Sequence, residues 1–336
     1  MHIWQKYFSA NKALTIGVIL ALLLAAAALF SLCAGASGAS LYEGLRDALT
    51  GSDTPAARII IHVRLPRTLA ALTAGAALSC AGVIIQGVLC NPLAGPNVIG
   101  INSGAGFAAL LAASLAVPSV FLPAAAFAGA LAAAMLILLL SSRTNASRVT
   151  VVLAGVALSS IISAGTDLIT TIDPEATLGM STFMIGGFSG VTAERLRIAA
   201  CYIIPALVLA LISCGTLDIL GLGDETARSL GMRVGAARCM QLMLAAVLAG
   251  AAVSFSGLLG FVGLIVPHAM RRIIGGEHRR LMPLSLLAGA LFVVICDTVA
   301  RTAFGAFELP VGILLALTGG PFFLILLIRT GKEWTE

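Results

Sequence analysis

The chain has 336 residues, of which 59% are hydrophobic and only 10% are charged, with a formal net charge of +5 and a mean hydropathy of +1.06. Soluble domains carry about 25% charged residues, so this composition excludes a water-soluble globule. Apolar runs of about 20 residues recur along the chain, and each can cross a bilayer as a helix. The runs lack the period-two alternation of barrel strands, so the sequence predicts an all-α polytopic membrane protein.

The predicted elements begin with an N-terminal segment, 1–12, whose Lys6 and Lys12 have no acidic counterpart and therefore indicate the cytoplasmic side. The first apolar run is too long for a cleaved secretory signal and is predicted to be a retained span. An external loop, 35–64, follows, and Pro66 then stands at a first-turn position where its missing N–H costs nothing. Spans of this half are predicted at about 13–34, 66–90, 98–116, 122–141 and 149–169.

The second half starts with an external segment in which Pro174 and Glu175 predict a short surface helix. A polar cytoplasmic segment, 215–238, separates the sixth predicted span from the seventh. Spans are predicted at about 195–214, 239–255, 281–300 and 310–328, with a shorter eighth span in the glycine-interrupted region after residue 256. Ten spans place both termini in the cytoplasm, and most lysines and arginines then fall on that side, as the positive-inside rule requires.

An internal repeat organises these spans. A shift of 175 residues places Gly75 on Gly250 and Pro92 on Pro267, and the decapeptide 122–131 matches 282–291. Two copies are therefore predicted, at about 64–169 and 239–328, within a single transmembrane domain, 1–336. Spans 2–5 correspond to spans 7–10, and because five spans separate them the copies have opposite orientations. Inverted repeats of this kind are typical of transporters.

Three arginines, Arg64, Arg67 and Arg301, are predicted at the external ends of spans 2 and 9. Guanidiniums on one face can form bidentate pairs with carboxylates of a docking protein. Two other interpretations stay open. Either the side chains extend to lipid headgroups, or nearby acids pair with them inside the chain, namely Glu43, Asp47, Asp53 and Glu308.

The motif NPLAGPN, 91–97, interrupts the helix because its two prolines and its glycine cannot continue it. Non-helical backbone at membrane depth is tolerated where it is buried in protein or lines a water-filled path. The motif is therefore either an ordinary cytoplasmic turn or the inner mouth of a pathway, with Asn91, Leu93 and Ser147 as its candidate residues.

The cytoplasmic segment 215–238 has acidic residues before TARSLG and a glycine after it, which predicts a short helix on the cytoplasmic face. It is either a solvated connector or a docking surface for a soluble subunit. The candidate contact residues are Asp224, Glu225, Ala227, Arg228, Leu230 and Gly231.

Asp167 and Asp297 are the acids predicted at membrane depth, where ionisable groups are costly and often functional. The i, i+4 spacing of Asp297 and Arg301 predicts a local ion pair. A proton-coupled secondary transporter is the alternative function that would use these acids. Since His268 directly follows Pro267, it is interpreted as a helix-start residue rather than a haem ligand.

The remaining residues offer no metal, nucleotide or nucleic-acid site. The seven cysteines are scattered without CxxC spacing, so they are interpreted as small hydrophobes. The chain has only three lysines and no P-loop, so any nucleotide must be bound by another chain. Positive charge at the membrane surface accounts for the net charge without nucleic acid.

Several motifs together resemble the permease subunits of bacterial iron-siderophore, haem and cobalamin ABC importers, the FecCD-type or type II permeases. They are RLPR, GAALSCAGVIIQGVLCNPLAGPNVIGINSGAG, VVLAGVALSS, GGFSG, ETARSLGMRVG, FSGLLGFVGLIVPHAMR, DTVAR and ELPVGILLALTGGPFF. The resemblance implies a ten-span subunit of the bacterial cytoplasmic membrane that pairs with a second permease, identical or closely related. It also implies two cytoplasmic ATPases that bind ATP-Mg, an extracytoplasmic substrate-binding protein, an iron chelate as cargo, and no cofactor on this chain.

The resemblance also implies roles for matching residues. It assigns Arg64, Arg67 and Arg301 to binding-protein docking, and the segment from Asp224 to Gly231 to ATPase coupling. It further assigns Asn91, Leu93 and Ser147 to the cytoplasmic gate, although Ala146 replaces a second hydroxyl that relatives often carry. The implied mechanism is alternating access.

Overall fold

The computed structural model describes residues 2–34, 42–43, 46–47, 50, 52, 54–97, 99–143, 148–303 and 307–333. Within those residues the regular structure is entirely helical, which confirms the predicted fold class. We number the helices α1 His2–Cys33, α2 Pro55–Leu89, α3 Ile101–Ser114, α4 Leu122–Arg143, α5 Arg148–Ile172, α6 Pro174–Ile185, α7 Ala193–Ile212, α8 Cys214–Gly221, α9 Asp224–Ser229, α10 Val234–Ser256, α11 Val262–Ile274, α12 His278–Thr302 and α13 Val311–Glu333.

Each of the ten predicted spans coincides with a helix: α1 to α5, α7 and α10 to α13. By length and apolar composition, seven described helices can cross a membrane, namely α1, α2, α4, α5, α7, α10 and α12. The helix α3 and the apolar part of α13, Val311–Leu326, are shorter apolar helices. The count of ten membrane crossings therefore stays a prediction.

The start of the second span differs from its prediction. The helix begins at Pro55, not near residue 66, and Thr54 caps it by accepting a hydrogen bond from the Ala57 N–H at 3.3 Å. A π-helical turn, Ile60–Arg64, then leads into Pro66. A proline ring would clash with the carbonyl of the residue four places earlier in a regular α-helix, and the wider turn relieves that clash. The sequence analysis placed the start of the helix at Pro66 because the π turn has no sequence signature of its own.

The predicted break after α2 is confirmed. Cys90 adopts a left-handed conformation with φ 47°, and the Asn91 N–H donates to the Gln86 carbonyl at 3.1 Å, which ends the helix in a Schellman motif. The Asn91 Oδ1 accepts the Leu93 N–H at 2.9 Å, and the described residues between Asn91 and Gly100 are non-helical.

Helices of the two predicted copies pack on each other through small residues, as membrane helices do when backbones approach closely. A Cβ added at Gly75 of α2 would collide with the backbone carbonyl of Gly289 in α12. In the matching position of the second copy, a Cβ at Gly250 of α10 would lie 2.9 Å from the Ala130 Cβ in α4. The contact is therefore reciprocal: each copy supplies one helix that packs against the other copy.

Candidate functional site

A buried ion-pair cluster lies where the predicted external ends of α2 and α12 meet. The Arg67 guanidinium donates to both carboxylate oxygens of Asp297, with its Nε at 3.2 and 3.1 Å and its Nη2 at 3.0 Å. Its Nη1 donates to Glu308 at 2.6 Å. Arg67 thus makes a bidentate pair with an acid that is 230 residues away in sequence.

The other two predicted docking arginines bind the C-terminal end of α1. The Arg64 Nη1 donates to the carbonyls of Leu32 and Cys33, both at 2.9 Å. The Arg301 Nη2 donates to the Ser31 Oγ at 2.8 Å and also to the Ser31 carbonyl. The last carbonyls of a helix have no intrahelical partners, and they carry the negative end of the helix dipole. Arg64 and Arg301 therefore supply the hydrogen bonds that the last carbonyls of α1 lack and that lipid hydrocarbon cannot provide.

The three arginines are only 3%, 7% and 4% exposed, in the order Arg64, Arg67 and Arg301. Their described contacts are internal, which is the arrangement expected if acids and carbonyls of the same chain pair with them. The i, i+4 contact between the Arg301 Nε and the Asp297 Oδ2 measures 3.9 Å, which is longer than the Arg67 contacts. Arg67 is therefore the main partner of Asp297. Docking by these residues stays a prediction, and the exposed member of the cluster is Glu308, whose side chain is 47% exposed.

The predicted gate residues lie in the turn between α2 and α3. Asn91 and Leu93 are half-buried and joined by the Asx turn described above, whereas Asn97 at the other end of the motif is exposed. Ser147 lies outside the described residues, so its position relative to this turn stays a prediction.

The predicted coupling helix is present as α9, Asp224–Ser229. Gly231, with φ 82°, ends it: its N–H donates to the Arg228 carbonyl, and the Met232 N–H donates to the Ala227 carbonyl. This is a Schellman motif, and a glycine is favoured there because the position needs a left-handed backbone.

The two sides of α9 differ. Ala227 is fully buried, and the Asp224 carboxylate accepts the Arg238 Nη2 at 2.9 and 3.0 Å, which fixes the helix to α10. Glu225 and Arg228 are exposed charged residues, and Leu230 is an exposed apolar residue just after the helix. The helix thus exposes charged and apolar side chains on one side, while its other side is held by burial of Ala227 and by the Asp224–Arg238 ion pair.

The sequence analysis did not predict the helix α8 or its hydrogen bonds to the start of α12. The Asp218 Oδ1 of α8 accepts the backbone N–H of His278 at 2.9 Å and lies 2.7 Å from the His278 Nδ1. This carboxylate caps α12 from another element, which suits the positive end of a helix. Gly87 of α2 makes room for the ring, since a Cβ there would lie 2.8 Å from the His278 Nε2. The segment predicted to be cytoplasmic, 215–238, therefore contacts helices of both predicted copies.

A cavity of about 500 Å³ lies between α3 and α5, beside the turn that carries Asn97. Its lining residues are Asn97, Asn102, Ser103, Gly106, Phe107, Ser163, Thr166, Asp167, Met184, Leu258 and Gly260. A second cavity of about 570 Å³ runs along α5 and shares Asn97, Ser163 and Asp167 with the first. The sequence indicated Asp167 alone, because the lining residues come from α3, α5, α6 and two turns that are far apart in sequence.

No metal-binding constellation is present in the part of the chain that the structure describes, where no three His, Cys, Asp or Glu residues group together. His268 lies inside α11 rather than at a helix start, with its ring 6.1 Å from that of Phe322 in an edge-to-face arrangement. The prediction of a helix-start residue was wrong because Pro267 is accommodated within the helix.

Comparison with known proteins shows which family this chain resembles in sequence and in fold. The model of the FecCD transport family matches residues 22–329. The Fe(3+) dicitrate transport system permease protein FecD of Escherichia coli (strain K12) is 40% identical over 273 residues, covering 81% of this chain and 85% of that protein. The hemin transport system permease protein HmuU of Yersinia pestis is 38% identical over 285 residues, covering 82% and 84%.

A solved structure of a metal-chelate type ABC transporter in an inward-facing conformation superimposes with a TM-score of 0.85 at 32% identity, covering 94% of this chain and 99% of that one. Permeases of this kind are transport subunits rather than enzymes, and ATP hydrolysis is carried out by separate ATPase subunits. The chain belongs to the FecCD transport family and is a membrane-embedded permease subunit of an ABC importer.

Proposed function

We propose that this chain is the permease for an iron chelate of the siderophore class in a bacterial cytoplasmic membrane. The observation that carries the proposal is a cavity of about 500 Å³, lined by both polar and apolar residues, in a chain whose relatives are named for Fe(3+)-citrate transport. Haem and cobalamin are the alternatives within the family, since two relatives are named for those cargoes. The family membership sets aside the secondary-transporter alternative.

The proposed complex contains two permeases, identical or closely related, with two cytoplasmic ATPases and one extracytoplasmic binding protein. Both termini lie in the cytoplasm, so the cluster of Arg67, Asp297 and Glu308 lies outside. In this proposal, acids on the loaded binding protein meet the arginines there and compete with Glu308, the acid that water reaches. Competition of this kind explains how a buried guanidinium can take part in docking without an open surface beforehand.

On the cytoplasmic side, the exposed residues of α9 contact the ATPase. Arg228 and Glu225 supply charge, and Leu230 supplies an apolar contact. Because Asp224 is paired with Arg238 and Asp218 caps α12, a displacement of this segment would move α10 and α12 with it.

The mechanism is alternating access, in which the permease stabilises inward-open and outward-open states to different extents as the ATPases bind and hydrolyse ATP. In this proposal Asn91, Leu93 and Ser147 form the gate at the inner end of the path. The permease forms and breaks no covalent bonds.

The test is transport by the reconstituted complex. Liposomes that hold the permease and its ATPase, with the binding protein and a radioactive iron chelate outside, should accumulate iron only when ATP is present inside. Competition with unlabelled haem, cobalamin and siderophores identifies the cargo class. Iron uptake that persists without ATP, or displacement by haem or cobalamin alone, would overturn the proposal in its function or in its cargo respectively.

A further inference from the structure

The helices α2 and α12 pack as an antiparallel pair in constant register. Four contacts, which we call the α2–α12 seam, follow each other from the predicted external end to the predicted cytoplasmic end: Arg67 with Asp297, Gly75 with Gly289, Ser79 with Ser285, and Gly87 with His278. Successive contacts are eight, four and eight residues apart along α2, and eight, four and seven residues apart along α12. Because a helix rises about 1.5 Å per residue, the seam is about 30 Å long, which is the thickness of the hydrocarbon core of a bilayer.

The middle of the seam is tightly packed. A Cβ at Gly75 would collide with the Gly289 carbonyl, and a Cβ at Gly289 would collide with the Gly75 carbonyl. One helical turn further along, the buried Ser79 hydroxyl donates to the Ser285 carbonyl at 2.7 Å. Interiors packed in this way are hardly compressible and transmit strain, so neighbouring helices shift as rigid bodies. A displacement at one end of the pair is therefore expected at the other end.

The short helix α8 contacts both members of this pair at the predicted cytoplasmic end. Its Leu217 side chain is fully buried, and the Leu217 Cδ2 would lie 3.3 Å from a Cβ at Gly87 of α2. Its Asp218 carboxylate accepts the backbone N–H of His278, the first residue of α12, and lies 2.7 Å from the Nδ1 of the same residue. One carboxylate of α8 thus holds both the main chain and the side chain at the start of α12.

The external end of the seam is the cluster of Arg67, Asp297 and Glu308. In the function proposed above, acids of the binding protein compete with Glu308 for the Arg67 guanidinium. Arg67 belongs to α2, and its buried partner Asp297 belongs to α12, so a force on this guanidinium acts on both helices. The binding protein and the ATPase therefore contact opposite ends of one packed pair of helices.

We propose that the α2–α12 seam carries the signal of binding-protein docking to the ATPase, and that Asp218 is the positioning residue that connects the seam to the cytoplasmic segment. The proposal rests on the function proposed above and adds a route for its regulation. Coupling between two sites is reciprocal, so ATP must change the affinity for the binding protein by the same factor by which the binding protein changes the affinity for ATP. Removing the Asp218 carboxylate detaches α8 from α12 but leaves the exposed residues of α9 and the external arginines in place.

The test measures this coupling factor at equilibrium. The permease and its ATPase are reconstituted in lipid nanodiscs, and the dissociation constant of the ligand-free binding protein is measured with and without a non-hydrolysable ATP analogue and Mg²⁺. The two constants of the wild type should differ by at least about fivefold, the lower end of the usual range for coupled sites. In Asp218→Ala the two constants should agree within about twofold, because the nucleotide no longer acts on the external end through α12.

Three further variants separate a signalling role from a structural one. Asp218→Asn keeps an oxygen that accepts the His278 N–H, so it should retain most of the coupling factor. Gly87→Ala displaces the His278 ring from the side of α2 and should lower the factor as Asp218→Ala does, which tests the seam even if Asp218→Ala fails to fold. The matched control is Asp173→Ala, which removes another helix-capping carboxylate, the acceptor of the Ala176 N–H at 3.1 Å, and should leave the factor unchanged.

Three results would overturn the proposal. They are a wild-type coupling factor in both Asp218→Ala and Gly87→Ala, an equal loss of the factor in Asp173→Ala, and a wild type that takes up iron with ATP although the nucleotide does not change its affinity for the binding protein. The first result would leave Asp218 as a structural cap of α12. Absence of ATP-driven uptake by the wild type would instead refute the proposed function, so the two failures are distinguishable.

Discussion

Replacing Asp297 by leucine leaves the guanidiniums of Arg67 and Arg301 buried without the carboxylate that they share. Arg67 makes three contacts of 3.0–3.2 Å with Asp297, and its side chain is 9% exposed against 1% for its partner, so solvent screens the pair little. Two unit charges at about 4 Å interact by about 4 kcal/mol in a partly polar interior. Removing one member of such a pair costs about 3–5 kcal/mol.

The pair energy can be isolated by a double-mutant cycle with Arg67→Met, Asp297→Leu and the double variant. Each single variant should lower the unfolding temperature of the detergent-purified permease by about 5–10 °C, at about 2 °C per kcal/mol for a chain of this size. The double variant should recover most of that loss, because apolar residues of similar volume replace a buried pair at little cost. Single losses of about 3–5 kcal/mol each and a double loss of about 1 kcal/mol give a coupling energy of about 5 kcal/mol or more, read from fluorescence-detected thermal melts.

Glu308→Gln is the matched control, because Glu308 binds the same guanidinium but its side chain is half-exposed. Screening limits its contribution to about 0–1 kcal/mol, so its melting temperature should stay within about 2 °C of the wild type. Additive losses in the double variant, with no coupling, would refute the internal pairing and leave Arg67 free for an external carboxylate.

Three further predictions follow from packing and accessibility. Gly82→Ala should lower the melting temperature by several degrees, since its Cβ would collide with a backbone carbonyl of α11, whereas Gly179→Ala, which has open space, should not; equal melting temperatures would contradict the close approach. Cys214, where burial raises the pKa of the thiol to about 11, should react with maleimide far more slowly at pH 7.5 than exposed Cys239, and equal rates would show that α8 is not packed as described. Exposed Cys90 should react with a membrane-impermeant maleimide in inside-out vesicles only, and reaction in right-side-out vesicles would reverse the proposed orientation.

Hydropathy predicted the ten apolar segments, and turn chemistry predicted the break at 91–97 and the end of α9 at Gly231, because these features depend on neighbouring residues. The start of α2 at Pro55 was not predictable in the same way, since a helix that continues through Pro66 needs a π turn that many sequences allow. The reciprocal glycine contacts were implied only as a matching pattern, and their partners required the structure.

The polar sites depended still more on long-range geometry. Arg67 and Asp297 were both recognised as unusual, but the local spacing of Asp297 and Arg301 suggested the weaker partner. The cavity beside Asp167 combines residues from α3, α5, α6 and two turns, which no local pattern joins. Asp218 gave no signal, because an acid in a polar cytoplasmic segment is ordinary until its contact with His278 is seen.

The reciprocal packing of the two copies also has a consequence for biosynthesis. Gly75 enters the membrane early, but its partner Gly289 is synthesised more than 200 residues later. At about 5–20 residues per second, the small-residue face of α2 waits about 10–40 s for the helix that covers it. During that interval lipid or an insertion factor must cover this face. We therefore expect membrane quality control to act on this protein during the interval in which only its first half has been inserted.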